Sequence, residues 1–178
     1  HPAHHGHAQL RAGRLAFRIF GGVLELEGIT VDHPFRPYRS VALAAGRVTG
    51  FDLGAIGRQF GAGVASGILD GRVTGLRILG REVLAFEAEL ATVPRSGVPQ
   101  FLDKTAIESI QQIFTGPMGQ IERAFFNRFR YEGFGFTASL RNGGFRFRGL
   151  YPIEGTEYVM FSRWYQFPRV EIINSLPD

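Results

Sequence analysis

The sequence predicts a mainly β fold: a strongly curved antiparallel sheet shaped as a groove, with two amphipathic helices inserted between its strands. Apolar and polar residues alternate in many short runs, which is typical of strands with one buried and one wet face. The 178 residues include 24 glycines and 17 phenylalanines, which indicate many turns around an aromatic interior. We expect one β-rich domain over residues 10–178, since this length is typical of a single domain.

The first residues are not expected to belong to that domain. Residues 1–9 contain the histidine-rich cluster HPAHHGH, which is more typical of a tag or mobile arm than of a metal site. The sequence has no initial Met, and no apolar run reaches the roughly 20 residues of a membrane span. We therefore interpret the chain as a C-terminal fragment of a longer protein, with any anchor or export signal upstream.

Alternating residues predict a hairpin at the beginning of the domain. Residues 14–19 and 23–27 each alternate between apolar and polar or small side chains, and Gly21-Gly22 predicts the turn between them. Another strand is expected over residues 40–45.

An internal repeat follows this hairpin. The pentapeptide Gly-Arg-Val-Thr-Gly occurs at 46–50 and again at 71–75, each time followed by an apolar residue, which predicts a repeated strand unit. Between the copies, Asp52 as an N-cap and helical spacing of apolar residues over 53–60 predict a short helix. A glycine turn after the second copy leads to a strand over 83–90.

Two amphipathic helices are expected between residues 101 and 129. From Leu102 to Phe114 the apolar residues recur at intervals of three and four, and Gly116-Pro117 marks the expected end of this helix. The second helix is predicted from three apolar residues spaced by four: Ile121, Phe125 and Phe129.

The strongest local signal is Asn142-Gly143 between two alternating runs, which is typical of a two-residue hairpin turn. The alternation places five large apolar side chains on one face: Phe134, Phe136, Leu140, Phe145 and Phe147. This face has two interpretations, a packed core under a helix or the lining of an open groove that holds acyl chains. Further strands are expected over 158–164 and 169–173.

The sequence contains no assembled catalytic or metal site. Cysteine is absent and His33, interpreted as a solvent-exposed loop residue, is the one histidine after the terminal cluster, so nucleophilic triads and multi-histidine sites lack their residues. Two carboxylate pairs have a spacing compatible with glycosidases but lie opposite apolar rows, which favours solvated surface charges: Glu25/Glu27 and Glu87/Glu89. We predict no enzyme activity and no cofactor.

The charge pattern does not favour a nucleic-acid partner. The net charge of +4 is carried almost wholly by arginine, because Lys104 is the only lysine. The arginines are scattered along the chain, whereas nucleic-acid binders concentrate basic residues on one face.

One stretch resembles a known family. Residues 66–78, Ser-Gly-Ile-Leu-Asp-Gly-Arg-Val-Thr-Gly-Leu-Arg-Ile, followed by Phe-Glu-Ala-Glu-Leu at 86–90, resemble the repeat of AsmA-like bacterial envelope proteins. The segments 97–100 and 129–135, with the Asn142-Gly143 hairpin, extend the resemblance toward the C-terminal part of the YdbH-like branch.

The resemblance implies a periplasmic protein anchored in the inner membrane, whose curved sheet forms an apolar groove for phospholipid moving toward the outer membrane. Its partners would be phospholipid and envelope proteins or the rest of its own longer chain. This chain lacks the anchor and is too short to cross the periplasm, so it would be a terminal segment or cap of such a bridge, or a small relative with another task. The alternative is a non-catalytic structural or protein-interaction module of the envelope, with exposed sheet edges as docking sites.

Overall fold

The structure is a computed structural model that describes residues 8–114, 128–153 and 156–162. Within them the fold is mainly β, as the sequence predicts, and it contains two short helices. The strands are β1 (Gln9–Ile19), β2 (Gly22–Asp32), β3 (Ser40–Asp52), β4 (Ala65–Ser66), β5 (Ile68–Leu79), β6 (Glu82–Val93), β7 (Phe101–Asp103), β8 (Arg128–Arg130), β9 (Gly133–Arg141), β10 (Gly144–Gly149), β11 (Tyr151–Ile153), β12 (Thr156–Tyr158) and β13 (Met160–Phe161). The helices are α1 (Leu53–Phe60) and α2 (Lys104–Phe114).

As far as the chain is described, the largest sheet is antiparallel and open. Its strand order is β1-β2-β3-β5-β6-β9-β10, and β13 also pairs with β9. Strands β4, β7 and β8 form a second sheet, and β11 pairs with β12. The strong curvature of the large sheet stays a prediction.

The pairing registers place apolar residues of seven strands on a common face of this sheet, here called the apolar face. Because side chains alternate along a strand, residues directly opposite one another share a face. One such row crosses the sheet through Leu15, Leu26, Gly46, Val73, Ala88, Ala138 and Phe147. The neighbouring row on the same face is Phe17, Leu24, Val48, Gly71, Leu90, Phe136 and Gly149.

The other side of the sheet is the polar face. Its row between the two apolar rows contains four charged residues on interior strands and an arginine on β10: Ala16, Glu25, Arg47, Arg72, Glu89, Thr137 and Arg148. The sheet is therefore amphipathic across its full width.

A row of small residues runs across the first four strands of the sheet. At this row the alternation of apolar and polar side chains along each strand shifts by one residue. The row contains Gly13, Gly28, Ala44 and Gly75, and the regular pairing of all three ladders is interrupted at it. Gly28 and Gly75 have φ values of 66° and 62°. Residues of this conformation inside a strand are typical of bulges, which bend the strand locally.

The phase change keeps the apolar face continuous along the strands. An added Cβ on Gly46 would lie 3.3 Å from Leu26 Cδ2 and 3.5 Å from Leu43 Cδ2, so side chains from both sides of the small-residue row meet over one face. Beyond the row, the apolar face therefore continues through Leu10, Val31, Val41, Ile78 and Val83.

The two copies of the pentapeptide lie on neighbouring strands and pair with each other. Arg47 of the first copy is opposite Arg72 of the second, in the antiparallel β3–β5 ladder. The repeated sequence therefore encodes two adjacent strands, and the last glycine of each copy, Gly50 or Gly75, has a positive φ.

Both predicted hairpins form. Asn142 and Gly143 have φ values of 50° and 77° and make the turn from β9 to β10, as predicted. The first turn consists of Phe20 and Gly21, one residue earlier than expected, because Gly22 already belongs to β2 and pairs with Ile19 of β1. A side chain on Gly22 would collide with β3, since its Cβ would lie 2.3 Å from the Thr49 carbonyl oxygen.

The short helix α1 forms as predicted. The Asp52 carboxylate accepts a hydrogen bond from Gly54 N at 2.7 Å, and Gly61 ends the helix with φ 64°. Helix α2 begins two residues later than predicted, because Leu102 lies in β7 and Asp103 accepts a hydrogen bond from Ala106 N.

The prediction of a second inserted helix is wrong at Phe129, because this residue lies in β8 opposite Leu102. The reason is local: Arg128, Phe129 and Arg130 alternate with the period of a strand, and Phe129 packs against the core. Residues 115–127, with the expected helix end at Gly116-Pro117, lie outside the described residues.

The two ends of the chain are described only in part. Strand β1 begins at Gln9, within the stretch expected to be an arm. The expected strand at 158–164 corresponds to β13 and the end of β12. The expected strand at 169–173 lies outside the described residues.

Candidate functional site

The predicted aromatic face of the β9–β10 hairpin is partly a packed core. Phe147 is 3% exposed and Phe134 6% exposed. Both belong to one buried cluster with Leu102 of β7 and with Ala106 and Ile107 of α2. The same cluster contains Tyr131, Val159 and Met160, so α2, β7 and the segment around 158–160 together form the core at this end of the apolar face, which is the core interpretation of these two phenylalanines.

The other three predicted residues are more accessible. Phe136 and Leu140 are half-buried, and the Phe136 ring stacks on Phe147 with centroids 4.8 Å apart. Phe145 is 41% exposed and lies 6.4 Å from the Phe86 ring. All five predicted residues share one face, as the alternation requires, but lipid contact by any of them stays a prediction.

The least covered part of the apolar face lies at the opposite end of the sheet, on β1. Phe17 is 46% exposed, and Leu15 and Ile19 are also exposed. On β2, β3 and β5 the apolar residues that continue these rows are half-buried: Leu24, Leu26, Val48 and Val73. We call this four-strand region the uncovered apolar face. Sequence reasoning recognised its alternation but missed its exposure, because no pattern within a strand shows whether another element packs on it.

The uncovered apolar face is large enough for a lipid chain. Strands β1 and β2 each contain 11 residues, and at about 3.4 Å per residue they extend about 37 Å. Four strands about 4.8 Å apart give a width of about 15 Å. Each monolayer of a bilayer has a hydrocarbon layer of about 15 Å, so an acyl chain fits on this surface in either direction.

The acidic pairs lie on the polar face and are neutralised by arginines. Arg72 lies 3.0 Å from Glu89, and Arg141 pairs with Glu87. Arg14 contacts both carboxylates of the other pair, Glu25 and Glu27. All of these side chains are partly or largely exposed, which agrees with solvated surface charges.

Hydrogen bonds of two buried polar residues, Tyr131 and Thr92, stabilise the covered end of the sheet. The Tyr131 hydroxyl donates a hydrogen bond of 2.8 Å to the Ser66 carbonyl oxygen, and Tyr131 is buried. Burial, with a smaller contribution from the nearby Tyr151, raises the pKa of Tyr131 above its ordinary value. Buried Thr92 exchanges two hydrogen bonds with the backbone of Phe134. These contacts join β9 to β6 and the β8–β9 connection to β4, and their geometry is that of structural bonds.

His33 is half-buried rather than solvent-exposed as expected. It follows β2 with φ 52°, and its ring centroid lies 6.4 Å from that of Tyr38. Across the described ranges, no group of three or more His, Asp or Glu residues is placed to hold a metal ion. The absence of enzyme activity remains a prediction.

Among the residues that the structure describes, no helix has the length and apolar character needed to cross a membrane. Comparisons with protein-family models, with curated proteins and with solved structures found no match. The AsmA-like resemblance and the envelope location therefore stay predictions, and the candidate site is defined by its geometry alone.

Proposed function

We propose that the uncovered apolar face binds the acyl chains of phospholipid, and that the chain is a lipid-binding or lipid-conducting segment of an envelope protein attached to the inner membrane. The observation that carries this proposal is the pair of apolar rows that crosses an open sheet and is left accessible on β1. The AsmA-like sequence resemblance supports the same function and supplies the periplasmic location.

The physical case is the cost of leaving this face in water. Complete burial of a Leu, Ile or Phe side chain contributes about 1.5–3 kcal/mol, and Leu15, Phe17 and Ile19 retain much of that surface. The rows carry no side-chain hydrogen-bonding group on β1, β2, β3 or β5. Such a face suits hydrocarbon, and it offers no polar contact that would select a sugar or a nucleotide.

The test compares two substitutions on adjacent residues of β1. Phe17→Arg places a charge on the uncovered apolar face, whereas Ala16→Arg places the same charge on the polar face opposite Glu25. We expect native mass spectrometry of the unmodified chain to detect co-purified phospholipid. We expect Phe17→Arg to lose that lipid and Ala16→Arg to retain it, with both variants folded by thermal unfolding.

A photocrosslinkable phospholipid locates the contact. Crosslinks should map to β1 and β2, and to the accessible Phe145 rather than to buried Phe147. Absence of lipid from the unmodified chain, or equal loss in both arginine variants, would reject the proposal.

A second candidate function is a protein-interaction module, and it is favoured by the edge strand β1. Among the described residues this strand has a neighbour on one side only, and it contains 11 residues without proline. Unpaired backbone groups of a long edge strand are a template for an added strand.

A further inference from the structure

One end of the large sheet combines exposed apolar side chains with arginines. The loop between β2 and β3 presents Phe35, which is 90% exposed, and Tyr38, which is 54% exposed. The adjacent turn between β5 and β6 presents three exposed aliphatic side chains, Leu79, Val83 and Leu84. Residues 33–39 and 77–84 are here called the docking tip.

The two loops form one surface. Gly80 N donates a hydrogen bond of 2.9 Å to the Arg39 carbonyl oxygen, and Ser40 pairs with Leu79 where β3 begins beside the end of β5. Within the first loop, Arg36 N donates to the His33 carbonyl oxygen at 2.9 Å. The aromatic residues are therefore presented from a loop with internal hydrogen bonds.

The arginines of the docking tip are not neutralised. Arg36, Arg39, Arg77 and Arg81 form no ion pair within the described ranges. The Arg36 side chain instead donates to the Tyr38 hydroxyl at 2.8 Å. On the polar face Arg14, Arg72, Arg141 and Arg148 contact glutamates. Arg18, Arg47 and Arg146 of that face form no ion pair among the described residues, so the tip is distinguished by its combination of such arginines with exposed apolar side chains. The tip has four arginines and one acidic residue, Glu82, so its net charge of +3 is available for an external anion.

We propose that the docking tip binds the surface of a membrane that contains anionic phospholipid, with Phe35 and Tyr38 inserted at the headgroup level and the arginines bound to phosphates. Aromatic rings with a polar end are favourable at membrane interfaces, and arginine can keep its charge in the headgroup layer while its stem contacts apolar surface. Basic residues near an anionic membrane each add to the attraction.

A membrane surface fits the tip better than a nucleic acid does. Both would bind arginines through phosphates, and bases could stack on Phe35 or Tyr38. Leu79, Val83 and Leu84 are aliphatic, however, and gain most from an apolar medium. Their exposure beside the arginines is therefore the observation that favours lipid.

The docking tip adjoins the apolar face at Ile78 and Val83, but it lies at the other end of the strands from Phe17 and Ile19, so its binding goes beyond the proposed function. The tip would attach to an intact bilayer, whereas the face would hold single lipid molecules. Phe17→Arg should remove co-purified lipid and leave vesicle binding unchanged, and Phe35→Ser should do the reverse. The two proposals can therefore fail independently.

The first experiment uses tryptophan as a reporter in the full chain. Phe35→Trp is compared with Phe60→Trp, which is a matched control because Phe60 is 71% exposed on α1, beyond the opposite end of β3. Spectra are corrected for the native Trp164 with the unmodified chain. With vesicles of phosphatidylcholine mixed with phosphatidylglycerol, we expect a blue shift and quenching by brominated lipid for Phe35→Trp alone.

The second experiment tests the charges by vesicle co-sedimentation. Arg39→Gln and Arg81→Gln should each weaken binding about fivefold, the effect of one basic residue near an anionic surface. Arg47→Gln, on the polar face of an interior strand, should leave binding unchanged. Three outcomes would overturn the proposal. The first is equal binding to vesicles of pure phosphatidylcholine, and the second is a spectral shift for both tryptophan variants. The third is a Phe35→Trp response to single-stranded oligonucleotide but not to vesicles.

Discussion

Phe145 and Phe147 lie two residues apart on β10 and share a face, yet their surroundings differ. Phe147 stacks on Phe136 and joins a cluster that includes residues of α2, whereas Phe145 remains 41% exposed. The residue type and the alternation are the same at both positions. The difference arises from what packs above them.

The first prediction uses this pair. Phe147→Ala should lower the free energy of unfolding by about 3–5 kcal/mol, because it removes a buried ring and leaves a cavity. Phe145→Ala should cost less than about 1.5 kcal/mol, since much of its surface is already in water. Urea unfolding of both variants measures the difference. Similar losses of unfolding free energy in the two variants would show that Phe147 is not more deeply packed than Phe145.

The second prediction concerns Tyr131. In the unfolded chain a tyrosine ionises near pH 10, but burial raises the pKa of Tyr131 in the fold. Above that pH the folded state therefore binds more protons than the unfolded state, so the free energy of unfolding falls as pH rises. Below about pH 10 the contribution of Tyr131 to the free energy of unfolding is fully present.

Thermal unfolding between neutral and strongly alkaline pH tests this dependence. Tyr131→Phe should reduce the alkaline loss, although Tyr151 also has a raised pKa and keeps part of it. At neutral pH the same variant should cost about 1–3 kcal/mol, because the Ser66 carbonyl oxygen loses its donor. An unchanged alkaline slope would contradict the assignment to Tyr131.

At the scale of the elements, single glycines decide where strands bend and turn. The row of Gly13, Gly28, Ala44 and Gly75 interrupts the alternation in four neighbouring strands at one level. Only two of these residues have a positive φ, Gly28 and Gly75. The row therefore contains positions that require glycine and positions that tolerate a side chain.

The third prediction compares two glycines of this row. Gly28→Ala should lower stability by at least about 1–2 kcal/mol, the cost of a left-handed conformation for alanine. Its added Cβ would also lie 2.7 Å from the Ala44 Cβ. Gly13→Ala meets no atom within 4 Å and should change the free energy of unfolding by less than about 1 kcal/mol. Equal melting temperatures for the two variants would contradict this view of the row.

For the whole molecule, the open sheet has unequal edges. Strand β10 is short, and Arg148 contacts Glu157 of β12 at 3.0 Å beside it. Strand β1 is nearly twice as long and carries exposed Leu15, Phe17 and Ile19. Both the lipid-binding proposal and the interaction alternative therefore concern the β1 end.

The fourth prediction is a gradient of amide hydrogen exchange across the sheet. Exchange should be slowest in β3 and β5, which have neighbours on both sides, and faster in β1, whose outward amides face water. Mass spectrometry of the chain at several concentrations measures it. Protection of β1 that rises with concentration would instead show a second copy on this edge and favour the interaction module.

The sequence by itself determined the local features. Asn142-Gly143 predicted its hairpin, Asp52 predicted the start of α1, and alternation assigned side chains to faces, because turn geometry, capping and strand period depend on residues close in the chain. It failed at Phe129, where three residues with strand alternation were read as the end of a helix. Strand pairing outside the two hairpins and the bulged small-residue row were not predicted, since they depend on partners distant in sequence.

Only the tertiary structure decided which apolar residues are core and which are surface. The same alternation describes Phe147 and Phe17, but α2 contributes to the core around Phe147, whereas Phe17 is left accessible. The docking tip likewise required the β2–β3 loop and the β5–β6 turn to meet through Gly80 and Arg39. Burial depends on contacts between elements far apart in the chain, so no pattern within one element can specify it.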